Sequence, residues 1–406
     1  MNIKIFLICG EKSGNEIMEN IFNKLSNQLE EYKDIKNIEI QGVFDKNFEE
    51  KFNKNFKIKN ILPYQNFSLF GFADILFNLP SLLDKINFVA KKIIDFQPNL
   101  IITIDSYELS IKVAKKINKF VKKQNLNNSN TQNNIKLWHI VSPSVWAYFP
   151  KRAKTIAKYY NKLFYFFPFE EEYYKPFERK ETKYNKGFVS IFTGFQSAFQ
   201  EKDKNIIKDE KLIGITLGSR IGEIMRHKNL ILSTIAKLKI VDDKYKFIIF
   251  VTNDTYEIVK QHFDNIKNVE IITDNDEKKR NIQKCSVIIS KIGTNNIEIG
   301  ALNTAMITYY TTSCLTSLFI KIFVKIKFFN IYNIVAKKQI IPEFTQKQAT
   351  SYNLAKTTYF LLTNHYERSI QLKNIKQILN IIKREDGKTP VEIITNEIME
   401  FMYSVL

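Results

Sequence analysis

The 406-residue chain has few of the residues that build disulfide, zinc or membrane-spanning structures. Its three cysteines, Cys9, Cys285 and Cys314, lie far apart without paired spacing, so neither a disulfide framework nor a zinc ribbon is indicated. A reducing compartment is therefore expected. No apolar stretch reaches the length of a membrane-spanning helix. The apolar run at residues 3–9 is short and enters a glycine loop, which predicts a first β-strand rather than a signal peptide.

Several signatures of metal and nucleophile sites are also absent. The four histidines show no i, i+4 pairing, and no Gly-x-Ser-x-Gly elbow occurs. Asp274 and Asp276 resemble a carboxylate pair for a divalent ion, but acidic residues are common in turns between strands and helices. We therefore expect neither a metal nor a cofactor.

Positive charge is in excess. The chain has 61 Lys and Arg residues against 42 Asp and Glu, a formal net charge of +19. Such a charge favours polyanions, anionic membrane surfaces or phosphorylated substrates without choosing among them. The 44% hydrophobic and 25% charged residues are typical of a globular protein, and the length suits two domains.

Short apolar runs alternate with amphipathic stretches in both halves of the chain. In the first half we predict strands at 3–9, 38–43, 100–104 and 136–141, and helices at 16–29, 82–96 and 111–122. In the second half we predict strands at 213–217, 247–251, 269–272, 287–289 and 305–309, and helices at 221–238, 296–302 and from 350 onward. This alternation predicts parallel sheets covered by helices, with ligands at the carboxyl ends of the strands.

The predicted fold is of the α/β class, with two Rossmann-like domains that face each other across a cleft. The first domain is expected at residues 1–195 and the second at 196–385, while the apolar tail 386–406 forms a helix that docks back on the body. Polar composition predicts a solvated loop at 118–134 and an interdomain linker at 187–209.

Two loops of the first half follow strands and carry candidate binding groups. Gly10 and Gly14 flank a loop whose free N–H groups at a helix start can hold an anion or a sugar hydroxyl, although a plain tight turn also fits. It is neither a Walker loop nor a G-x-G-x-x-G pattern. Asp105 ends a buried strand, where it acts as a general base on a hydroxyl or instead caps the next helix.

Two loops of the second half repeat this arrangement. Gly218, Ser219 and Arg220 precede a helix, where the arginine fork and the helix amides suit a diphosphate. The alternative is a Ser219 cap with a surface Arg220–Glu223 pair. Glu298, after Gly293 and Thr294, is placed to accept hydrogen bonds from a ribose, or it stabilises the helix dipole.

The segment 138–170 contains features that are not usually found together in a core segment. Pro143 interrupts regular pairing after a strand, so a loop with a histidine, serines and a tryptophan follows the strand end. The alternative is a strand, loop, helix and strand of an α/β core. A second unusual segment, 315–332, carries Lys321 and Lys325 on one side of an amphipathic helix, which suits an anionic bilayer or packing on its own domain.

Together these motifs resemble those of the lipid-A-disaccharide synthase family, whose members are glycosyltransferases of the two-Rossmann-domain GT-B type. The likeness extends over nearly the whole chain. The matching positions are 10–14, 70–76 with 79–80, 104–105, 139 with 141–147, 167–170, 218–220 with 223–224, 293–294 with 298, 333, and 342–344 with 346. Five features depart from the family pattern: Lys12, Asn15, the pair Tyr107-Glu108, Ile292 before Gly293, and the turn Gly42-Val43-Phe44-Asp45 after the second strand, which has lost part of the family's glycine-rich character.

The resemblance implies an inverting transfer from UDP-diacylglucosamine to the 6-hydroxyl of diacylglucosamine 1-phosphate, which gives the β-1,6-linked lipid A disaccharide. It implies that Asp105 is the general base and that Arg220 neutralises the departing diphosphate. The implied donor-binding residues are Gly218, Ser219, Arg220, Glu223, Gly293, Thr294, Glu298, Asn333, Glu343 and Gln346. The implied acceptor-binding residues are Gly10, Glu11, Ser13, Gly14, His139, Ser144 and Trp146.

The same resemblance implies a cytoplasmic enzyme held peripherally at the inner face of the inner membrane, where the positive charge meets anionic lipid. It also allows a homodimer. One alternative function is another GT-B-type sugar-nucleotide enzyme with a soluble acceptor. The other is a basic nucleic-acid-binding protein. The aromatic residues argue against this function, because they lie in apolar runs and are not interleaved with basic residues.

Overall fold

The computed structural model describes residues 2–31, 37–67, 79–127, 135–182, 187–313, 324 and 326–406. The chain divides into two compact units, Met1–Gly194 together with Asp386–Leu406, and Phe195–Glu385. Each unit is built on a parallel sheet, so the predicted α/β class with two parallel-sheet domains is confirmed. The motif at 70–76 and most of the basic segment 315–332 lie outside the described residues.

The first unit has, in the described part of the chain, a seven-stranded parallel sheet in the order β3-β2-β1-β4-β5-β6-β7. Its strands are β1 (Ile3–Cys9), β2 (Ile38–Phe44), β3 (Lys57–Pro63), β4 (Leu100–Ile104), β5 (Lys136–Ile140), β6 (Lys162–Tyr165) and β7 (Val189–Phe192). Its helices are α1 (Lys12–Glu31), α2 (Lys46–Phe52), α3 (Leu79–Phe96), α4 (Tyr107–Asn127), α5 (Lys151–Tyr159) and α6 (Glu171–Tyr174). Short 3₁₀ turns lie at Tyr64–Asn66, Pro168–Glu170 and Lys175–Phe177.

The second unit repeats the plan with a sheet that has six described strands, in the order β10-β9-β8-β11-β12-β13. These are β8 (Asp209–Thr216), β9 (Lys246–Phe250), β10 (Val269–Ile272), β11 (Cys285–Lys291), β12 (Ala305–Tyr310) and β13 (Glu343–Thr345). Its helices are α7 (Ile221–Val241), α8 (Tyr256–Phe263), α9 (Asn275–Lys284), α10 (Asn295–Ala301), α11 (Ile331–Ala336), α12 (Ser351–Thr363) and α13 (His365–Ile382). Further 3₁₀ turns lie at Gln196–Phe199, Asn253–Thr255 and Gln346–Gln348.

The central strands are buried on both faces. All five residues of β4 are buried, as are six of the seven residues of both β1 and β11. Such strands read as continuous apolar runs because helices cover both sides of a parallel sheet. This is why the sequence pattern located them.

Strand order creates one switch point in each sheet. In the first sheet β1 lies beside β4, and Cys9 pairs with Ile104 at their ends. In the second sheet β8 lies beside β11, and Thr216 pairs with Ser290. Because chain connections leave in opposite directions at such a point, a crevice opens beyond the strand ends, where ligands of open α/β sheets bind.

The final helix, α14 (Pro390–Val405), belongs to the first unit and packs on α1. A capping box between Thr389 and Glu392 starts it, with Pro390 in the first turn. Lys24 of α1 pairs with Glu392 at 3.3 Å, and the Thr395 hydroxyl donates to the carbonyl of Ile21 at 3.4 Å. None of the described helices is long and apolar enough to cross a bilayer.

One prediction from composition is wrong, and another is incomplete. Residues 118–127, predicted as part of a loop, continue α4, because lysine and glutamine favour helices and Ala114 and Ile117 bury its inner face. The predicted linker 187–209 includes the division between the two units, after Gly194, but it also contains β7 and a 3₁₀ turn. The second strand of the segment 138–170 ends at Tyr165, and a 3₁₀ turn begins at Pro168.

Candidate active site

Asp105 lies directly after β4 at the switch point of the first sheet. Its carboxylate accepts a hydrogen bond from the hydroxyl of Ser13 at 3.2 Å and one from the N–H of Ser106 at 2.8 Å. Its own N–H donates to the carbonyl of Ile140 at 2.9 Å. Two of the residues that the resemblance marked, Ser13 and Asp105, are thus in direct contact. Both oxygens of the carboxylate are oriented by donors, while the side chain stays partly exposed.

The loop after β1 packs closely on Asp105. A Cβ at Gly10 would lie 2.4 Å from the Ser106 Oγ, and one at Gly14 would lie 3.2 Å from the carbonyl oxygen of Ile104. These glycines are therefore required by close approach. Helix α1 begins at Lys12, so Ser13 and Gly14 lie in its first turn rather than in a preceding loop as predicted.

The departures from the family pattern have structural roles in this unit. The buried Asn15 side chain accepts from the N–H of Asp45 at 2.9 Å and donates to the carbonyl of Glu11 at 3.0 Å. It therefore ties the end of β2 to the start of α1. The Arg152 guanidinium lies 4.6 Å from the ring centroid of Tyr107 and pairs with Glu108, so the Tyr107-Glu108 pair fixes α5 against α4.

His139 was predicted to shape the acceptor site, and this prediction is wrong. The side chain has no exposed surface, and its Nδ1 lies 2.6 Å from the Thr103 Oγ1 within the sheet. Burial lowers the pKa of His139 to about 3, so the ring is neutral. Strand β5 is covered on both faces, with Leu137, Trp138 and Ile140 buried as well, so this histidine lies in the core whichever way it points.

Ser144 and Trp146 remain partly exposed on the loop after β5. The carbonyl of Ser144 accepts from the N–H groups of Ala147 and Tyr148, each at 3.1 Å. The Trp146 ring packs edge-on against Phe169 with ring centroids 5.5 Å apart. This loop and the segment around Phe169 are therefore held together.

In the second unit, Gly218 precedes α7 at the switch point. Its φ of +110° lies in the left-handed region, and a Cβ there would lie 2.4 Å from the Glu223 Oε2, so only glycine fits. Arg220 is the residue that caps α7, and Ser219 beside it is exposed. The N-cap position of α7 is held by Arg220 rather than by Ser219, and Glu223 pairs with Lys291 at 2.8 Å.

Lys291 was missed by sequence reasoning. It ends β11, and both it and Glu223 are largely buried, with side-chain exposures of 17% and 16%. A lysine that ends a buried strand at a switch point was the available signal. It brings a positive charge next to the loop that carries Gly218.

The second loop of this unit follows β11. Thr294 caps α10, and the N–H of Gly293 donates to the side chain of Asn296 at 3.1 Å. Glu298 pairs with Lys278 at 3.2 Å and accepts from the Gln200 amide at 3.5 Å. A carboxylate has about four lone-pair positions, so Glu298 keeps acceptor capacity for a further hydroxyl.

Three predicted donor residues near β13 mainly hold their own segment. The Asn333 amide is wholly buried; it accepts from the N–H of Ile340 at 2.8 Å and donates to Glu343 at 3.1 Å. Direct contact between Asn333 and a ligand is therefore corrected to a framework role. Glu343 also accepts from the N–H of Asn330 at 2.9 Å, and Gln346 accepts from the N–H of Thr312 at 3.4 Å.

Asp274, considered above as part of a metal pair, is the cap of α9. Its carboxylate accepts from the N–H of Glu277 at 2.8 Å. No group of three or more possible metal-binding side chains occurs among the residues that the structure describes.

Comparison with known proteins gives one consistent family. The profile of the family described as lipid-A-disaccharide synthetase matches residues 5–394. The lipid-A-disaccharide synthase of Rickettsia akari is 31% identical over 413 aligned positions, covering 99% of this chain and 98% of that protein. The one from Rickettsia conorii is 33% identical, covering 93% of this chain and 83% of that protein.

Solved structures share the fold at low sequence identity. The S. aureus MnaA–UDP structure has a TM-score of 0.59 at 13% identity, covering 99% of this chain and 97% of that one. The UDP-GlcNAc 2-epimerase of Neisseria meningitidis has a TM-score of 0.54 at 13% identity, covering 98% and 100%. The calicheamicin glycosyltransferase CalG4 has a TM-score of 0.56 at 8% identity, covering 99% and 98%.

Proposed function

Because the chain belongs to the lipid-A-disaccharide synthetase family and is therefore a glycosyltransferase that forms the lipid A disaccharide, we propose that its two switch points divide the reaction between acceptor and donor. The proposed donor is UDP-2,3-diacylglucosamine, and the proposed acceptor is 2,3-diacylglucosamine 1-phosphate. The products are the β-1,6-linked disaccharide 1-phosphate and UDP. The names and full-length coverage of the relatives support this choice.

Asp105 is the proposed general base. Its carboxylate takes the proton of the acceptor 6-hydroxyl as that oxygen forms a bond to the anomeric carbon of the donor sugar. The bond from the same carbon to the UDP oxygen breaks, and attack from the opposite face inverts the configuration. The contacts from Ser13 and the N–H of Ser106 support this role, because they fix the carboxylate before the acceptor binds.

Arg220 is proposed to stabilise the charge that develops on the departing diphosphate. It stands at the start of α7, where unpaired N–H groups and the positive end of the helix dipole favour an anion. The Ser219 hydroxyl adds a donor, and the left-handed turn at Gly218 brings the backbone close. Preorganised donors of this kind lower the barrier because they need no rearrangement as charge develops.

The remaining donor contacts are proposed for Glu298, Thr294 and Gly293, which hold the ribose and phosphates. Glu223 acts by fixing Lys291 beside the Gly218 turn. Asn333, Glu343 and Gln346 act by holding Ile340, Asn330 and Thr312 in place beside β13. On the acceptor side, Gly10, Glu11, Ser13 and Gly14 surround Asp105, while Ser144 and Trp146 lie on the loop after β5.

The contact between Ser13 and Asp105 at the first switch point carries this proposal. We expect Asp105→Asn to lower kcat by on the order of 10²–10⁴, because the amide cannot take the hydroxyl proton. Disaccharide formation is followed by thin-layer chromatography with the lipid donor and acceptor, and folding by circular dichroism. Asp95→Asn, on the exposed face of α3, is the matched control.

Arg220→Ala is expected to abolish disaccharide formation with folding kept, since the leaving diphosphate loses its fixed positive charge. Arg226→Ala is the control, because Arg226 is exposed on the same helix. Normal turnover in both Asp105→Asn and Arg220→Ala would disprove the mechanism.

We also propose that the protein works at the cytoplasmic face of an anionic inner membrane. The net charge of +19 and the lipid nature of the substrates support this location. We expect it to sediment with vesicles that contain phosphatidylglycerol and to be released as salt is raised, because exposed charges are screened within about 10 Å at 0.1 M salt. Equal sedimentation with neutral phosphatidylcholine vesicles at every salt concentration would contradict an electrostatic association.

A further inference from the structure

Glu170 is a buried carboxyl group to which the mechanism above gives no role. It ends the 3₁₀ turn that follows β6 and is only 2% exposed. One carboxylate oxygen accepts from the N–H groups of Phe166 at 3.2 Å and Phe167 at 3.0 Å. The side chains of Ser142 and Trp146 favour the charged form of this carboxyl group, which lowers its pKa against the larger effect of burial. It thus joins the strand end at Phe166–Phe167 to the loop that carries the proposed acceptor residues.

That loop, residues 141–149, is strained at both ends. Val141 has a φ of +78° and Phe149 a φ of +53°. A branched side chain in the left-handed region is a rare outlier that costs on the order of 1–3 kcal/mol, so surrounding contacts must hold it. The Val141 N–H donates to the carbonyl of Phe164 at 3.0 Å, which holds the first residue but not the turn beyond it.

The turn beyond Val141 is held by residues 164–174. The Ser142 hydroxyl lies 2.8 Å from the Tyr174 hydroxyl, and Trp146 packs on Phe169. Glu170 lies between these two contacts, and the side chains of Ser142 and Trp146 favour its charged form. Two backbone N–H groups and two polar side chains therefore surround one buried carboxyl group. Loss of that group would remove the acceptor to which the N–H groups of Phe166 and Phe167 donate.

We propose that Glu170 is a positioning residue for the acceptor: it holds the 141–149 loop, and with it Ser144 and Trp146, in the conformation that binds the acceptor sugar. This inference rests on the proposed function, because the acceptor role of Ser144 and Trp146 is part of that proposal. Glu170 acts through Ser142 and Trp146 and does not itself contact the substrate.

A carboxyl group suits this position better than an amide. The indole of Trp146 and the two backbone N–H groups can only donate hydrogen bonds. An amide NH₂ group is also a donor, so it could not accept a hydrogen bond from any of them. Burial raises the pKa of Glu170 to about 7, which makes the number of acceptor sites depend on pH near neutrality. Tyr174, the titratable group beside Ser142, stays neutral there, because burial raises the pKa of its hydroxyl further above the usual range.

The test compares Glu170→Gln with Glu172→Gln, which removes an exposed carboxylate two residues away. We expect Glu170→Gln to raise the KM for the acceptor about tenfold while the KM for the donor stays unchanged. A general loss of folded protein would instead lower kcat without separating the two KM values. Glu172→Gln is expected to match the wild type.

Tryptophan fluorescence gives a second readout. The chain has two tryptophans, and Trp138 lies in the core, where it packs on Phe164 and Phe401. We expect the emission of the wild type to change with a midpoint near pH 7, because Trp146 packs on Phe169 beside Glu170 and interacts with its carboxyl group. Glu170→Gln should abolish that change. An unchanged acceptor KM in folded Glu170→Gln, or a pH-dependent emission that persists in it, would overturn the inference.

Trp146→Phe separates this inference from the proposed function. If Trp146→Phe raises the acceptor KM and Glu170→Gln does not, the acceptor loop stands and the role of Glu170 fails. If neither variant changes the acceptor KM although Glu170→Gln removes the emission change, the loop is not an acceptor site, and both the acceptor assignment and the positioning role fail.

Discussion

Asp105 and Ser106 both lie in the left-handed region, with φ of 55° and 44°, so the chain turns sharply as it leaves β4. Aspartate visits this region at low cost, but two such residues in succession need support from their neighbours. Gly10 provides the space, because its missing side chain admits Ser106. The placement of the proposed base therefore depends on a glycine in another loop.

Gly10→Ala is expected to destabilise the first unit by about 1–3 kcal/mol, since the new methyl would lie 2.6 Å from the Ser106 Cβ and force the turn apart. We expect kcat to fall as well, because Asp105 moves with Ser106. Urea unfolding and the disaccharide assay measure the two effects. Gly222→Ala is the control: nothing lies within 4 Å of its Cβ position on α7, so that variant should gain up to about 1 kcal/mol. Equal behaviour of the two variants would contradict the packing argument.

Residue roles were only partly predictable from sequence. Asp105 and Gly218 lie just after strand ends as expected, because apolar strands fix where a loop must begin, while Ser13 and Glu298 lie in the first turns of the helices that follow β1 and β11. The burial of His139 depends on Thr103 and Tyr160, and that of Asn333 on Ile340 and Ile341, contacts that no local pattern reveals. Polar residues inside a family motif were therefore assigned to ligands when they belong to the framework.

Among the elements, α14 shows most directly how the first unit is stabilised. Its residues Ile394, Ile398 and Met402 are at most 1% exposed and recur with helical spacing, which gives the helix a continuous buried face. Its capping box and the pair between Lys24 and Glu392 fix where it begins on α1. Most of the stability comes from the buried face, because a partly exposed ion pair contributes at most about 1 kcal/mol.

Ile398→Ala is expected to lower the free energy of unfolding of the first unit by about 2–5 kcal/mol, because a fully buried side chain leaves a cavity. Tyr403→Ala on the same helix should change it by less than about 0.5 kcal/mol, since that side chain is 45% exposed. Urea denaturation followed by circular dichroism compares the two variants. A loss confined to Tyr403→Ala would contradict the packing of α14.

Elements were predictable where burial dominates their sequence. The inner strands β1, β4, β8 and β11 were found because they are nearly continuous apolar runs. Strand β3 at the sheet edge exposes Lys57 and Lys59, and α9 is polar over almost its whole length, so the apolar pattern identified neither element. Such elements are fixed by their neighbours, through the parallel pairing of β3 with β2 and the Asp274 cap of α9.

At the scale of the whole molecule, two buried titratable groups of the first unit oppose each other in their effect on stability. Burial raises the pKa of Glu170 from 4.5 to about 7, so its contribution to the free energy of unfolding is largest below pH 4.5 and is lost as pH rises toward 7. Burial lowers the pKa of His139 from 6.5 to about 3, so the contribution of that group is largest above pH 6.5 and is lost as pH falls. Between about pH 4.5 and about pH 6.5 the two contributions to the free energy of unfolding change with pH in opposite directions and cancel.

In Glu170→Gln, the pH dependence of the free energy of unfolding that comes from His139 should no longer be cancelled. Relative to the wild type, the free energy of unfolding of this variant is expected to rise by about 1.4 kcal/mol per pH unit between about pH 5 and about pH 6.5. Urea unfolding at both ends of this range, with Glu172→Gln as control, measures the difference. A constant difference between variant and wild type would show that Glu170 does not change its protonation on unfolding.

The architecture of both units was predictable from the alternation of strands and helices, and the shared strand order places both sets of candidate residues at switch points. The polar stretch after Gly187 was predicted as a linker, and the chain does pass from the first unit to the second after Gly194. Composition did not reveal that β7 completes the first sheet within the same stretch.

Because α14 packs on the first unit, the two units are completed at different times during synthesis. The second unit, Phe195–Glu385, is continuous in the chain, whereas the first unit is complete only after Asp386–Leu406 has been translated. Until then the apolar surface of α1 that α14 covers stays open to other partners, a state in which nascent chains recruit chaperones or aggregate. A nonsense codon that removes α14 would thus damage the part of the described chain that is made first.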